Sequence, residues 1–94
     1  MITEAGLIAV MSDPRQPNMT ARQLAMLVVL SSIQEVSTAD LAYRVNTAKP
    51  IITRYCDKMQ DLGFIKRRRG TEDRRLRYIS LTAPGRRYLA ALAR

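Results

Sequence analysis

Histidine and tryptophan are absent from this chain, cysteine and phenylalanine occur once each, and no apolar run is long. Each absence excludes something. Without histidine there is no imidazole for general acid/base catalysis and no zinc site of the kinds that use it. A lone Cys56 excludes a disulfide within the chain. A membrane-spanning helix needs about 18 or more consecutive apolar residues, and nothing here approaches that. The amino terminus lacks the basic-then-apolar order and cleavage site of a secretory signal, so a cytoplasmic location is expected. No pair of carboxylates suggests a pocket, so no catalytic residue, no cofactor and no metal is expected. With so few large aromatics, the core must come from Leu, Ile, Val, Ala, Met and the four tyrosines, a mixture that suits helices with a little sheet.

What is present in excess is positive charge. Sixteen Lys and Arg against eight Asp and Glu leave a net charge of +8 over 94 residues. The excess is clustered, with seven cations among the twelve positions from Lys66 to Arg77, while only Arg15 and Arg22 precede Arg44. Seven cations so close repel one another and call for a counter-charge, which makes a polyanion the expected partner. A membrane surface fits less well, because the cluster lacks an adjoining apolar helical face.

Length and patterning predict one domain over residues 1–94. Ile2, Leu7, Ile8 and Met11 fall near one stripe of a short helix within 1–12, and Asp13 to Asn18, with two prolines, forms a loop. Thr20 and Gln23 have capping-box spacing ahead of the apolar run Leu24 to Ile33, the first core helix. A brief extended link, 34–37, leads to a second helix capped by Ser37 or Thr38, with Leu41, Ala42 and Val45 inward and an end near Asn46. Thr47 is expected to cap a third helix, 48–62, with Pro50 tolerated in the first turn and Gly63 as the stop. Its helical period turns Ile52, Tyr55, Cys56, Met59 and Leu62 inward and Lys49, Pro50, Ile51, Thr53, Arg54, Asp57 and Lys58 outward. Two strands, 64–69 and 76–81, flank a loop at 70–75, with Ile79 and Leu81 packing inward. Thr82 caps a last helix, 83–94, with Tyr88, Leu89 and Leu92 as its apolar positions.

The fold class is therefore mainly α with a small β-hairpin, in the order of a winged helix-turn-helix. A three-helix core at 20–62 is followed by a two- to three-stranded antiparallel wing at 64–82 and flanked by short terminal helices. Such an arrangement places a helix in the major groove of double-stranded DNA and a charged ribbon against the backbone or minor groove. On helix 48–62, Lys49, Thr53 and Arg54 are the expected base readers, Lys58 reaches a guanine edge or a phosphate, Pro50 shares the exposed first turn, and Asp57 rejects some bases. The capping hydroxyls of Thr38 and Thr47 are placed to meet phosphate. On the wing, 66–77, the DNA-facing set is Arg68, Arg69, Arg74, Arg75 and Arg77. Cys56 is expected to be a small buried thiol rather than an oxidation sensor, and the tyrosines, spread over separate elements, pack rather than stack on bases.

These residues also resemble the MarR type of bacterial transcription regulators over about residues 20–90. Thr20 to Leu30 is similar to that family's first core helix, Asp40-Leu-Ala42 to its helix-turn-helix entry, and Ile52 to Asp57 with Gly63-Phe-Ile65 to its recognition helix and exit. Glu72-Asp-Arg-Arg75, followed by Ile79-Ser-Leu-Thr82 and Gly85, resembles its wing. The resemblance implies a sequence-specific DNA-binding transcription regulator, with Asp73 bracing the wing and Arg75 approaching the minor groove. It also implies a homodimer on a palindromic site. The segments matching the family's dimer-forming ends are short here, Ile2 to Met11 and Ala83 to Arg94, with Leu7, Ile8, Leu89 and Leu92 as the pairing surface and a small-molecule effector left open. The alternatives are a winged-helix protein-interaction module and a non-specific architectural DNA binder.

Overall fold

The computed structural model describes residues 2–93. The chain runs α1 (Glu4–Ser12), α2 (Ala21–Ser31), β1 (Val36–Ser37), α3 (Thr38–Arg44), α4 (Lys49–Asp61), β2 (Ile65–Arg69), β3 (Arg77–Leu81) and α5 (Ala83–Leu92). The strands form one antiparallel sheet in the order β1-β3-β2. The expected link at 34–37 thus contributes a short strand, Val36 opposite Ile79, and the wing is three-stranded at its base.

Capping chemistry sets most of the helix starts. The Thr20 hydroxyl accepts from the Gln23 amide while Gln23 Oε1 accepts from the Thr20 amide, which closes the capping box on α2. Ser37, not Thr38, caps α3 by accepting from Asp40, and Thr82 caps α5 by accepting from Gly85. The expectation for Thr47 is overturned: Ala48 holds the cap position of α4 and supplies no side-chain bond. The reason is local. A cap at Thr47 would aim its hydroxyl at the amide three residues on, and that residue is Pro50, which has no N–H to give. The Thr47 amide instead donates to Ala42 O at 3.0 Å, closing a turn in which Asn46 takes φ 54. Arg22 Nη1 donates from α2 to the carbonyls of Val45 (3.0 Å) and Asn46 (2.5 Å), so the turn between α3 and α4 is pinned from a third helix.

The core joins Met26, Leu27 and Leu30 of α2, Leu41 of α3, Ile52, Cys56 and Met59 of α4, Ile65 and Ile79 of the sheet, and Leu92 of α5. Full burial of each such side chain contributes about 1.5–3 kcal/mol. Leu62, expected inward on the helical period, is instead 38% exposed. It follows the last turn of α4, while Phe64, two positions on, packs against the core and stacks on Tyr88 at 4.8 Å.

The terminal helices depart most from expectation. In α1 the buried positions are Gly6 and Val10, while Ile8 and Met11 of the expected stripe are 55% and 75% exposed. The cause is a close crossing of α1 and α5. A β-carbon at Gly6 would lie 2.2 Å from Leu92 O, so only glycine permits this approach. The Thr3 amide completes it by donating to Leu92 O at 2.8 Å. Leu92, expected on a pairing surface, is consequently fully buried within its own chain. The part of the expected final helix at residue 94 lies outside the described residues.

Candidate nucleic-acid interface

One concave groove of about 450 Å³ runs between the start of α3, the outer face of α4 and the wing. It gathers Thr38, Lys49, Thr53, Arg68, Arg69, Arg75 and Arg77, seven of the residues expected to face DNA. Of the remainder, Arg74 lines an adjoining hollow with Arg69, Gly70 and Thr71, while Pro50 and Arg54 are exposed on α4 outside the groove lining. Thr47 is half-buried in the turn before α4.

On α4, burial of Ile52, Cys56 and Met59 turns the opposite side of the helix outward. Among the described residues Lys49 and Arg54 make no side-chain hydrogen bond or ion pair. The Thr53 hydroxyl donates back to Lys49 O at 3.1 Å, which leaves its oxygen able to accept. Lys58 behaves differently from the expectation of a DNA contact: its ammonium donates to Asn18 O at 2.8 Å and to Gln23 Oε1 at 3.4 Å, tying α4 to the start of α2. Cys56 is 1% exposed, and burial pushes its thiol up to about 11, which keeps it protonated and unreactive at neutral pH.

Four arginines of the wing, Arg67, Arg68, Arg75 and Arg77, have side-chain partners among the described residues. In β2 and β3 the register sets Arg69 directly opposite Arg77, a like-charge pair at the distal end of the ribbon. Arg68 forms a two-pronged pair with Glu35 and lies 4.6 Å over the ring of Tyr78. The Arg68 guanidinium holds the Glu35 carboxyl below the usual carboxylate range. At the tip, Asp73 accepts from the Arg75 amide (3.0 Å) and from its guanidinium (3.1 and 3.0 Å), and its carboxyl is held down by that same arginine. The Arg75 side chain nevertheless remains 89% exposed. Gly70 sits where a β-carbon would meet Asp73 O at 2.4 Å, so the loop folds tightly back on itself. Arg77 donates to the carbonyls of Arg74 (2.9 Å) and Leu76 (3.2 Å), and the Thr38 hydroxyl donates to Arg77 O at 3.4 Å.

Four participants escaped the sequence analysis. Ser37 and Gln60 line the groove, Glu35 orients Arg68, and Arg67 reaches from β2 to Gln60 and Asp57 of α4. Asp57, expected to select among bases, is instead the acceptor for Arg67. The one signal in the sequence was that positions 57 and 60 are three apart and so share a helical face. That a strand arginine would lie across them depends on how the sheet docks.

Helices α3 and α4, crossed by α2 and followed by a basic three-stranded wing, define a winged helix-turn-helix. The MarR family model matches residues 19–76, and this chain belongs to that family. It is 34% identical over 64 residues to an uncharacterized HTH-type transcriptional regulator, YdgJ, of Bacillus subtilis (strain 168), an overlap of 68% of this chain and 39% of the relative. The fold is similar to that of the YusO protein from Bacillus subtilis, with a TM-score of 0.75 at 26% identity over 79% of this chain and 52% of the other. It is also similar to that of a mutant MarR from E. coli complexed with operator DNA, with a TM-score of 0.72 at 20% identity over 78% of this chain and 52% of the other. The chain thus spans about 39% of that curated relative and 52% of both solved chains. No helix among the described residues is long and apolar enough to cross a membrane.

Proposed function

We propose that this chain is a sequence-specific double-stranded DNA-binding transcription regulator acting in the cytoplasm, by occupying DNA and not by catalysis. The proposed single domain, 1–94, sets α4 in the major groove, where Lys49, Thr53 and Arg54 face base edges. It lays the wing on the adjacent backbone or minor groove through Arg69, Arg74, Arg75 and Arg77. One observation carries this reading: Lys49 and Thr53 of α4 and the wing arginines Arg69, Arg75 and Arg77 line a single groove, and the register sets Arg69 opposite Arg77, a like-charge pair that an anion relieves. A mutant MarR from E. coli with a similar fold is complexed with operator DNA, which supports duplex DNA as the partner.

A homodimer is part of the proposal. Leu92 is removed from the expected contact, and the support comes from apolar side chains left open on and near the terminal helices: Ile8 and Met11 of α1, and Val28, which lines a hollow with Ile2 and Leu89. The decisive test is fluorescence anisotropy over a salt series. It compares a duplex from the region upstream of the gene, a scrambled duplex and an equal-length single strand. A preference of about 100-fold, roughly 2.7 kcal/mol, for the upstream duplex supports specific regulation. With about six phosphate contacts, log affinity against log salt has a slope near −5. Equal binding to both duplexes favours an architectural role, and no duplex binding favours a protein-interaction module.

A further inference from the structure

We infer that Arg67 is a positioning residue that sets the wing at a fixed distance and angle from the recognition helix α4, with Asp57 and Gln60 as its anchors. The inference rests on the proposed DNA reading and assigns how its two contact elements are held in phase. Arg67 stands at the middle of β2, opposite Ile79. Its Nε donates to Gln60 Oε1 at 2.6 Å and its Nη2 to Asp57 Oδ1 at 2.7 Å, so one planar group spans neighbouring turns of α4. The Arg67 side chain is 27% exposed, the most covered arginine among the ion pairs of the described residues. The bridge belongs to the groove: Gln60 and Arg67 line it together with Lys49 and Thr53 of α4 and Arg69, Arg75 and Arg77 of the wing.

A second consideration comes from what the ribbon otherwise rests on. The wing joins the helical body at its base through Thr82 and Phe64, where the Thr82 amide donates to Phe64 O at 3.0 Å and its hydroxyl to Gly63 O at 2.5 Å. Farther out, Arg68 turns to Glu35 just before β1, and Arg75 turns back on its own loop. Among the described residues the Arg67 bridge is therefore the side-chain hydrogen-bonded tie from the ribbon to α4, beside the core packing of Ile65 and Ile79. Duplex DNA offers its grooves at a set spacing, so two elements that must enter neighbouring grooves bind best when already held in register.

The sign of one substitution separates this role from plain electrostatics. Asp57 is an exposed acid on a face turned to a polyanion, so charge alone makes Asp57→Ala bind duplex DNA more tightly. Loss of the bridge makes it bind more weakly, by about three- to tenfold, the effect of losing one charge-assisted hydrogen bond in a half-exposed place. Asp57→Asn keeps an acceptor oxygen for Arg67 and is expected to restore binding to at least the wild-type level. Alongside anisotropy on the upstream duplex, residual dipolar couplings without DNA report the orientation of β2 and β3 relative to α4. That orientation shifts in Asp57→Ala and returns in Asp57→Asn. Equal or tighter binding by Asp57→Ala overturns the inference alone, as does weaker binding with unchanged couplings. Wild-type protein that binds no duplex overturns the DNA reading, and unchanged couplings in Asp57→Ala would then overturn the bridge as well.

Discussion

The recognition helix and the wing carry the same kind of charge and hold it in opposite ways. On α4, Lys49 and Arg54 have no side-chain partner among the described residues. On the wing, Arg67, Arg68 and Arg75 are each gripped by an acid, and Arg77 by two carbonyls. The difference follows from the backbone. A thirteen-residue helix packed through Ile52, Cys56 and Met59 already aims its side chains, so Lys49 and Arg54 can stay free while Lys58 ties the helix to the start of α2. Two five-residue strands and a loop form a ribbon that is marginal alone, and ionic ties fix what the ladder does not. Counting cations in the sequence therefore overstates the charge that is unengaged, and understates how well directed the rest of it is.

The comparison breaks most severely if the helix loses its seat. Ile52→Ala empties a fully buried position beneath the reading face and is expected to destabilise the fold by about 2–5 kcal/mol, measured by denaturant unfolding. Next, Arg54→Ala removes an unpartnered cation proposed to read a base edge. It is expected to lower affinity for the preferred duplex by about 1–3 kcal/mol and to relax preference at one base position, which a panel of single-base variants would reveal. Arg75→Ala tests the other element. Binding should weaken to a similar degree on all sequences, with the salt slope shallower by about 0.9 if one phosphate contact is lost. An Arg75→Ala effect confined to one base position would erase the distinction between helix and wing.

The smallest effect is a matter of pH. Asp73 has its carboxyl lowered below its ordinary value of 3.8 by Arg75. The order it lends the wing tip is thus present above pH 3.8 and is lost as pH falls through the lowered value. NMR titration of the Arg75 amide, which donates to Asp73 Oδ1, should show its midpoint below 3.8. A midpoint at the ordinary value would mean that the brace is not formed in solution.

Much of this was legible in the sequence because it is local. The capping box of Thr20 and Gln23, the inward Ile52, Cys56 and Met59 of α4 and the inward Ile79 and Leu81 all follow from residues a few positions apart, while the bracing role of Asp73 was implied by the resemblance to the MarR type. What was not legible depends on contacts between distant segments. Lys58 looks like any outward lysine until the loop before α2 offers it Asn18 O, forty positions away. Asp57 reads as a base selector until β2 brings Arg67 across it. The inward face of α1 was misassigned because apolarity suggests Ile8 and Met11, whereas close packing on α5 needs the smallest residue, Gly6. Thr47 failed for a nearer reason, the missing amide of Pro50.

The crossing at Gly6 also has a meaning for the order in which the chain assembles. The hydroxyl of Thr3 donates to Leu92 O across 89 positions of sequence, so this contact closes nearly the whole chain into a ring. The entropic cost of closing a loop grows with the logarithm of its length, and it falls once the intervening helices and sheet have already drawn the ends together. The pairing of α1 with α5 is therefore expected to form after the segments between them, which pulse-labelled hydrogen exchange at the Thr3 amide would check.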